Sequence, residues 1–282
     1  MGIERIEYKT WKGKKTSLYK RFLVVGEKII LQKLNSKAIW VLLVIGYIMV
    51  HVFTIASAPF YPREELTKEL ILDGRGTLMG IPYLKGYFFY LFTIILVSVV
   101  CSDILSQDIK ENSFVLYFSR PLRTVDYVAG KLTGSMAIMS LFCALPPLFV
   151  GLSVIATQTG DNYVGSFGIL GLTIIAGIFT SFIFLPYAVL LSSITKRKAF
   201  SGIGAFMTIF VLDIISDIFA NFNINWRLVS PENLLHLSYD IIYGNSLPSE
   251  INTGLYVLAM STLIIIPLVA LFIRIHLKGV EG

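Results

Sequence analysis

Apolar positions in this chain come in long blocks, not in the short alternations of a soluble fold. Six blocks stand out, at residues 38–58, 86–105, 132–156, 166–195, 199–221 and 254–273. The hydrocarbon core of a bilayer is about 30 Å thick and an α-helix rises about 1.5 Å per residue, so about 18 to 20 apolar residues suffice to cross it. The pattern predicts an all-α membrane protein with six transmembrane helices. A second periodicity precedes the first block. In SLYKRFLVVGEKIILQKL, Leu18, Phe22, Val25, Ile29 and Ile30 recur at helical spacing with Lys20, Arg21, Glu27 and Lys28 between them. That predicts an amphipathic helix suited to the interfacial layer, or else packed on a neighbour.

Charge orients the blocks. Lys and Arg favour the cytoplasmic side of short loops. With the N-terminus inside, segments 1–37, 106–131, 196–198 and 274–282 hold 10, 4, 3 and 2 basic residues, whereas 59–85, 157–165 and 222–253 hold 4, 0 and 1. Acidic residues divide evenly, so the asymmetry is a positive-inside signature. It predicts a multi-pass protein of the cell membrane with both termini cytoplasmic. Residues 1–37 then form a cytoplasmic arm and residues 38–282 the six-span domain. The net charge of +6 is accounted for by orientation and anionic headgroups, with no nucleic acid partner. The mean hydropathy of +0.73 agrees. No secretory signal or N-myristoylation pattern is expected at the start. Cys101 and Cys143 both fall within blocks, which argues against a disulfide framework or a zinc site.

One cytoplasmic loop is denser in signals than retention requires. SRPLRTVDYVAGK, residues 119–131, concentrates Arg120, Arg123, Asp126 and Lys131 among Leu122, Val125, Tyr127 and Val128. Pro121 disfavours helix at Arg120 and suits the first turn of a new one. The expectation is a short helix parallel to the membrane at the foot of spans 2 and 3, exposed to something in the cytosol. The plain alternative is a basic retention loop with no partner.

The stretch DIKENSFVLYFSRPLRTVDYVAGK resembles the span 2 to span 3 connection of permeases from type-2, exporter-class ATP-binding-cassette (ABC) transporters. Glu111, Ser119, Arg120, Pro121, Arg123, Tyr127, Gly130 and Lys131 match that pattern, while Asn112-Ser113 stands where Gly-Thr is common. VSPENLL in the last external loop is similar to the family's leucine-serine-proline motif before an external helix. The resemblance implies a half-transporter that pairs with a second permease, a copy or a paralogue. Two cytosolic ATPase subunits would dock on a coupling helix carrying Glu111, Arg120, Pro121, Arg123, Asp126, Tyr127 and Lys131. ATP and magnesium would be bound by those partners, and this chain would bind no cofactor and not be an enzyme. The residues agree, because no GxxxxGK[ST] phosphate loop is present: Gly130-Lys131 is followed by Leu132, and Val125 stands at the upstream glycine position.

Ionisable groups inside spans are functional candidates by default. Asp213 and Asp217 are four apart on span 5 and share a face. They either line the outer part of a translocation path, with His51 late in span 1 as a third candidate, or mark a helix end that reaches water early. Met136, Met139 and Cys143 make a sulfur stripe on span 3 that Cu(I) would accept and that ordinary core packing explains as well. Pro146-Pro147, Pro186 and Pro267 predict kinks in spans 3, 4 and 6. Gly202 and Gly204 suggest a seam between two permeases. Ser230-Pro231-Glu232 is a helix start, predicting a short external helix across the outer mouth. Rival functions are an ion-driven transporter or channel, for which internal repeats are absent, a membrane enzyme, for which neither HExxH nor GxSxG is found, and a scaffold.

Overall fold

The structure is a computed structural model that describes residues 20–52, 66–73, 84–114 and 122–280. Among the described residues every regular element is helical. Five helical stretches are long and apolar enough to cross a membrane, and a sixth if a bent pair is counted as one span. The fold is that of an all-α, multi-pass membrane protein.

Helix α1 (Arg21–Leu34) is followed by α2 (Lys37–Gly46), which runs on as a π-helical turn at Tyr47–Val52. The two meet at 76° around Asn35 and Ser36, where the Trp40 indole donates to the Leu34 carbonyl at 2.6 Å. A short α3 (Lys68–Asp73) precedes α4 (Tyr87–Cys101) and α5 (Ser106–Lys110), which together form the second long stretch. The third is α6 (Thr124–Cys143) with α7 (Leu145–Thr157), and the fourth is α8 (Tyr163–Ile183) with α9 (Leu185–Ile194). Then come α10 (Lys198–Ala220), a 3-10 turn at Ile224–Val229, α11 (Pro231–Ile242) and α12 (Thr253–Val280).

Proline sets two of the breaks. Pro146 and Pro147 open α7 after a break at Ala144, and Pro186 lies in the first turn of α9 after one at Phe184. The ring cannot donate and crowds the preceding turn, so the helix restarts around it. The first break packs on the middle of α8 because Gly177 has no side chain: a Cβ there would lie 2.4 Å from the Ala144 Cα. Phe142 stacks on Phe89 at 5.8 Å and Phe184 meets Tyr90 edge-on at 6.1 Å, so an aromatic residue beside each break packs on the first turn of α4. Pro267, expected to kink span 6, sits inside an unbroken α12.

Three expectations change. The segment at 122–131 is not a separate helix parallel to the membrane. From Thr124 it is the first two turns of α6, continuous with the third span, which thus begins eight residues before the predicted 132. The apolar face of α1 lies on α6, not on lipid alone. Gly26, Gly130 and Gly134 let the backbones touch: a Cβ on Gly130 would fall 2.6 Å from the Phe22 carbonyl oxygen, and one on Gly134 2.7 Å from that of Gly26. Small residues at this spacing are the usual device for close helix contact. Leu23, Val24 and Leu31 remain on the outward side.

The third change concerns the segment after α10, which turns back along that helix. Ser216 donates to the Trp226 carbonyl at 3.1 Å, and Ser230 donates to Asp213 at 2.7 Å. As the chain advances from 226 to 230 it therefore retreats about one turn along α10. Helix α11 starts there, about 10 Å back from the end of α10 at 1.5 Å per residue. It then runs along α8, with Tyr239 bonded to Thr180 at 2.7 Å and Tyr243 to Thr173 at 2.9 Å. Its start at Ser230-Pro231 is as expected, with the Ser230 hydroxyl accepting from the Asn233 amide at 3.1 Å. Leu234, Leu235 and Leu237 are buried, whereas Ile241 is exposed.

Candidate functional site

Two clusters of charge lie inside the bundle, one at each end. The first is built on an interruption of the second span. Between α4 and α5, residues 102–105 leave the helix, which frees backbone groups that must find partners away from water. Ser192 of α9 supplies several. Its hydroxyl accepts from the Leu105 and Ser106 amides at 3.0 and 3.2 Å and donates to the Ser102 carbonyl at 3.3 Å. Lys131 of α6 donates to the Ile104 carbonyl at 2.9 Å and pairs with the Asp108 carboxylate at 2.8 Å. The Tyr127 hydroxyl donates to the same carboxylate, and the ammonium of Lys131 stands 5.3 Å from the Tyr127 ring centre. Phe114 closes the far side of that ring edge-on at 5.8 Å. Across the break, Lys33 of α1 pairs with Asp103. Two lysines from two different helices thus clasp one acid within the break and one just beyond it.

This geometry corrects the docking surface expected from sequence. Tyr127 and Lys131 face inward, at 0% and 5% exposure, and touch the second span. The cause is periodicity: Tyr127, Val128, Lys131, Gly134 and Ser135 fall on one face of a continuous helix, and that face is the buried one. Arg123, at the N-cap of α6, and Glu111 are exposed, and Asp126 is half-buried. Glu111 accepts from the Gln107 side chain at 2.9 Å. Arg120 and Pro121 lie outside the described residues.

Asn112, one of the two departures from the resembled pattern, has φ of +50°. Around it the Glu111 amide bonds to the Gln107 carbonyl at 2.9 Å and the Ser113 amide reaches back to the Asp108 carbonyl at 3.0 Å. That is a helix stop of the kind that ends in a left-handed residue, where glycine is commonest and asparagine is the usual substitute. The backbone here has the conformation that glycine would supply.

The second cluster joins three helices. Asp213 accepts from the Tyr90 hydroxyl of α4 at 2.5 Å, the Ser230 hydroxyl at 2.7 Å and the Glu232 amide at 3.4 Å. It caps the start of α11, where a carboxylate is favoured by the helix dipole. Asp213, Asp217 and Glu232 line one small cavity of about 140 Å³ with Tyr87 and Tyr90. Glu232 lies outside the spanning helices; burial, then the charges of Asp213 and Asp217, push its carboxyl up to about 7. Sequence reasoning paired Asp213 with Asp217 and missed Glu232 and Tyr90, which only the retreat of the chain along α10 brings in. The His51 side chain is outside the described part. In the sulfur stripe, Met139 and Cys143 are fully buried, Met136 is packed on the core, and the Cys143 thiol lies 3.8 Å from the Thr93 hydroxyl.

No protein-family model matches the chain, and no curated protein matches it.

Proposed function

We propose that this chain is the membrane-spanning permease subunit of an ABC transporter of the type-2, exporter class. It would sit in the cell membrane with six spans and both termini cytoplasmic. A second permease, copy or paralogue, would complete the path, and two cytosolic ATPases would bind the ATP and magnesium. The observation that carries the reading is the segment EN-S…SRPLRTVDYVAGK, whose left-handed Asn112 supplies the turn for which the family uses glycine.

The clamp around Asp108 supports a mechanical role. A push on the exposed Arg123 end of α6 would be passed by Lys131 and Tyr127 to Asp108 and Ile104, and so to the interruption of the second span. A helix break whose freed groups are held by side chains is a natural hinge, because exchanging those partners costs less than breaking a continuous helix ladder. On this reading Arg120, Pro121, Arg123, Asp126 and Glu111 meet the ATPase, whereas Tyr127 and Lys131 transmit its movement.

The test is co-purification in detergent with the cognate ATPase and the double variant Arg120→Glu, Arg123→Glu. Loss of the ATPase with an unchanged melting temperature is the expected result; retention by the double variant would overturn the docking assignment.

A further inference from the structure

A large cavity opens beside the Lys33–Asp103 pair of the first charged cluster. It is a groove of about 810 Å³ between the α1–α2 elbow, α4 and α10, within the range of about 300–1,000 Å³ that small-molecule sites occupy. Its walls change character along their length. At one end stand Gln32, Ser36, Lys198 and the Lys33–Asp103 pair; further in, Ile39, Ile95, Val99, Ile203, Phe206 and Met207 make an apolar channel.

Two features point to an occupant. The first is Ser98 on the α4 wall. It is 4% exposed, yet its hydroxyl has no hydrogen-bond partner. A helical serine usually bonds to the carbonyl one turn back, as Ser106 and Ser135 do here. An unsatisfied buried hydroxyl in a groove wall asks for a partner that the protein does not supply. The second is charge. Lys196, Arg197 and Lys198 are consecutive and exposed where α10 begins, and none of them forms an ion pair among the described residues. Asp103, the carboxylate in the groove wall, is already neutralised by Lys33.

The order of these groups in depth matters. Gly202 is one turn beyond Lys198, about 6 Å along the axis, and its missing side chain brings α10 against Ser98: a Cβ there would lie 3.2 Å from the Ser98 carbonyl oxygen. Moving inward, the groove therefore offers a cation, then a hydroxyl donor, then an apolar channel. Gly202 serves this packing within the chain and not the seam between permeases suggested by sequence, whereas Gly204 faces open space.

We propose that the groove holds one anionic phospholipid. Its phosphate sits at Lys198 with Lys196 and Arg197 beside it, an ester carbonyl accepts from Ser98, and one acyl chain runs along Ile95, Ile203 and Phe206. The proposal does not rest on the transport reading.

Native mass spectrometry of the full chain released from detergent tests it. The chain is titrated with palmitoyl-oleoyl phosphatidylglycerol, the matching phosphatidylcholine, or inorganic phosphate. The expected result is one phosphatidylglycerol per chain, bound about tenfold more tightly than phosphatidylcholine, as one or two basic residues beside an anionic headgroup provide, and no phosphate adduct. Lys198→Glu abolishes the preference. Ala199→Trp, at an exposed position in the groove wall, removes both lipids. Ser98→Ala weakens phosphatidylglycerol about fivefold at an unchanged melting temperature, the effect of one lost hydrogen bond, and carries the test should the tryptophan variant fail to fold. Equal retention of the two lipids, or full retention by the folded Ala199→Trp or Ser98→Ala chain, would overturn the proposal. So would a phosphate adduct of similar affinity, which marks a simple anion site, or a lipid-free dimer, which marks a second copy as the occupant.

Discussion

Asp108, buried, and Asp213, half-buried, are carboxylates that each hold separate helices together, but Asp108 meets an ammonium and Asp213 meets neutral donors. Lys131 and Tyr127 come to Asp108 from a single helix, and the same ammonium also satisfies a carbonyl freed by the break. Asp213 receives two hydroxyls and an amide from α4 and from the start of α11, with two more carboxylates beside it in a small cavity. The difference is one of tolerance. At Asp108 either partner alone is a buried, uncompensated charge. Among the described residues no cation depends on the Asp213 carboxylate, and its donors can turn to other acceptors.

The largest effect should therefore follow from breaking the clamp on one side. Lys131→Met keeps the length of the stem and removes the ammonium, leaving Asp108 charged in the interior and the Ile104 carbonyl without its donor. The expected loss is about 3–5 kcal/mol, the usual cost of removing one member of a buried pair. The double variant Lys131→Met, Asp108→Leu should recover much of it, because two apolar groups of similar volume demand no desolvation. Thermal unfolding of the purified chain in detergent compares the three forms. A double variant as unstable as the single one would show that the carbonyl contact, and not the ion pair, is what matters at the break.

Asp213→Asn is the matching test at the other end and should cost less, about 1–2 kcal/mol. The amide keeps one acceptor oxygen for Ser230 or Tyr90 but not for both, and the charge assistance to both bonds is lost. Asparagine is itself a good cap, so the start of α11 should survive. The variant is checked by melting temperature and by alkylation of a cysteine placed at Asn233, which should label only slightly faster than in the parent. A loss as large as that of Lys131→Met would mean that Asp213 carries a hidden cation and that the two ends are alike.

The long helices were legible because bilayer-crossing blocks are the strongest pattern a chain can carry. Most bounds of the described spans fall within three residues of prediction; the second and last helical stretches run five residues past their predicted ends, and the third starts eight residues early, at Thr124. That miss has a physical reason. The charged residues before Leu132 argued for a boundary, yet Lys131 pays no penalty for continuing the helix, since Asp108 and the Ile104 carbonyl satisfy it. A usable signal was present in the sequence: Gly130 and Gly134 are four apart, opposite Gly26, and the acids Asp103 and Asp108 flank the end of the second apolar block. The course of 222–230 was not legible. Hydropathy marks where a helix leaves its apolar block, but the direction in which the following loop turns is set by Ser216 and Asp213, whose partners lie 10 and 17 residues away.

The smallest effect, and the one that sharpens the contrast most, concerns Glu232. Burial and the neighbouring Asp213 and Asp217 raise its carboxyl from 4.5 to about 7, and Tyr87 and Tyr90 complete the wall facing it. A raised acid binds its proton more tightly in the folded chain than in the unfolded one. It therefore adds to stability at low pH, and that contribution is lost as pH rises between the ordinary carboxylate range and about 7. The melting temperature of the parent should fall modestly between about pH 5 and about pH 8, relative to that of Glu232→Gln, which cannot ionise. The two should converge at the acid end. Partial exposure of the group keeps the effect small, because water screens what burial does not. Lys131 variants should not alter this difference, since they act at the far end of the bundle, and a shared pH response would show that the two clusters are coupled through α4. An identical pH dependence in the parent and Glu232→Gln would instead mean that the three carboxylates are already neutralised by something bound between them.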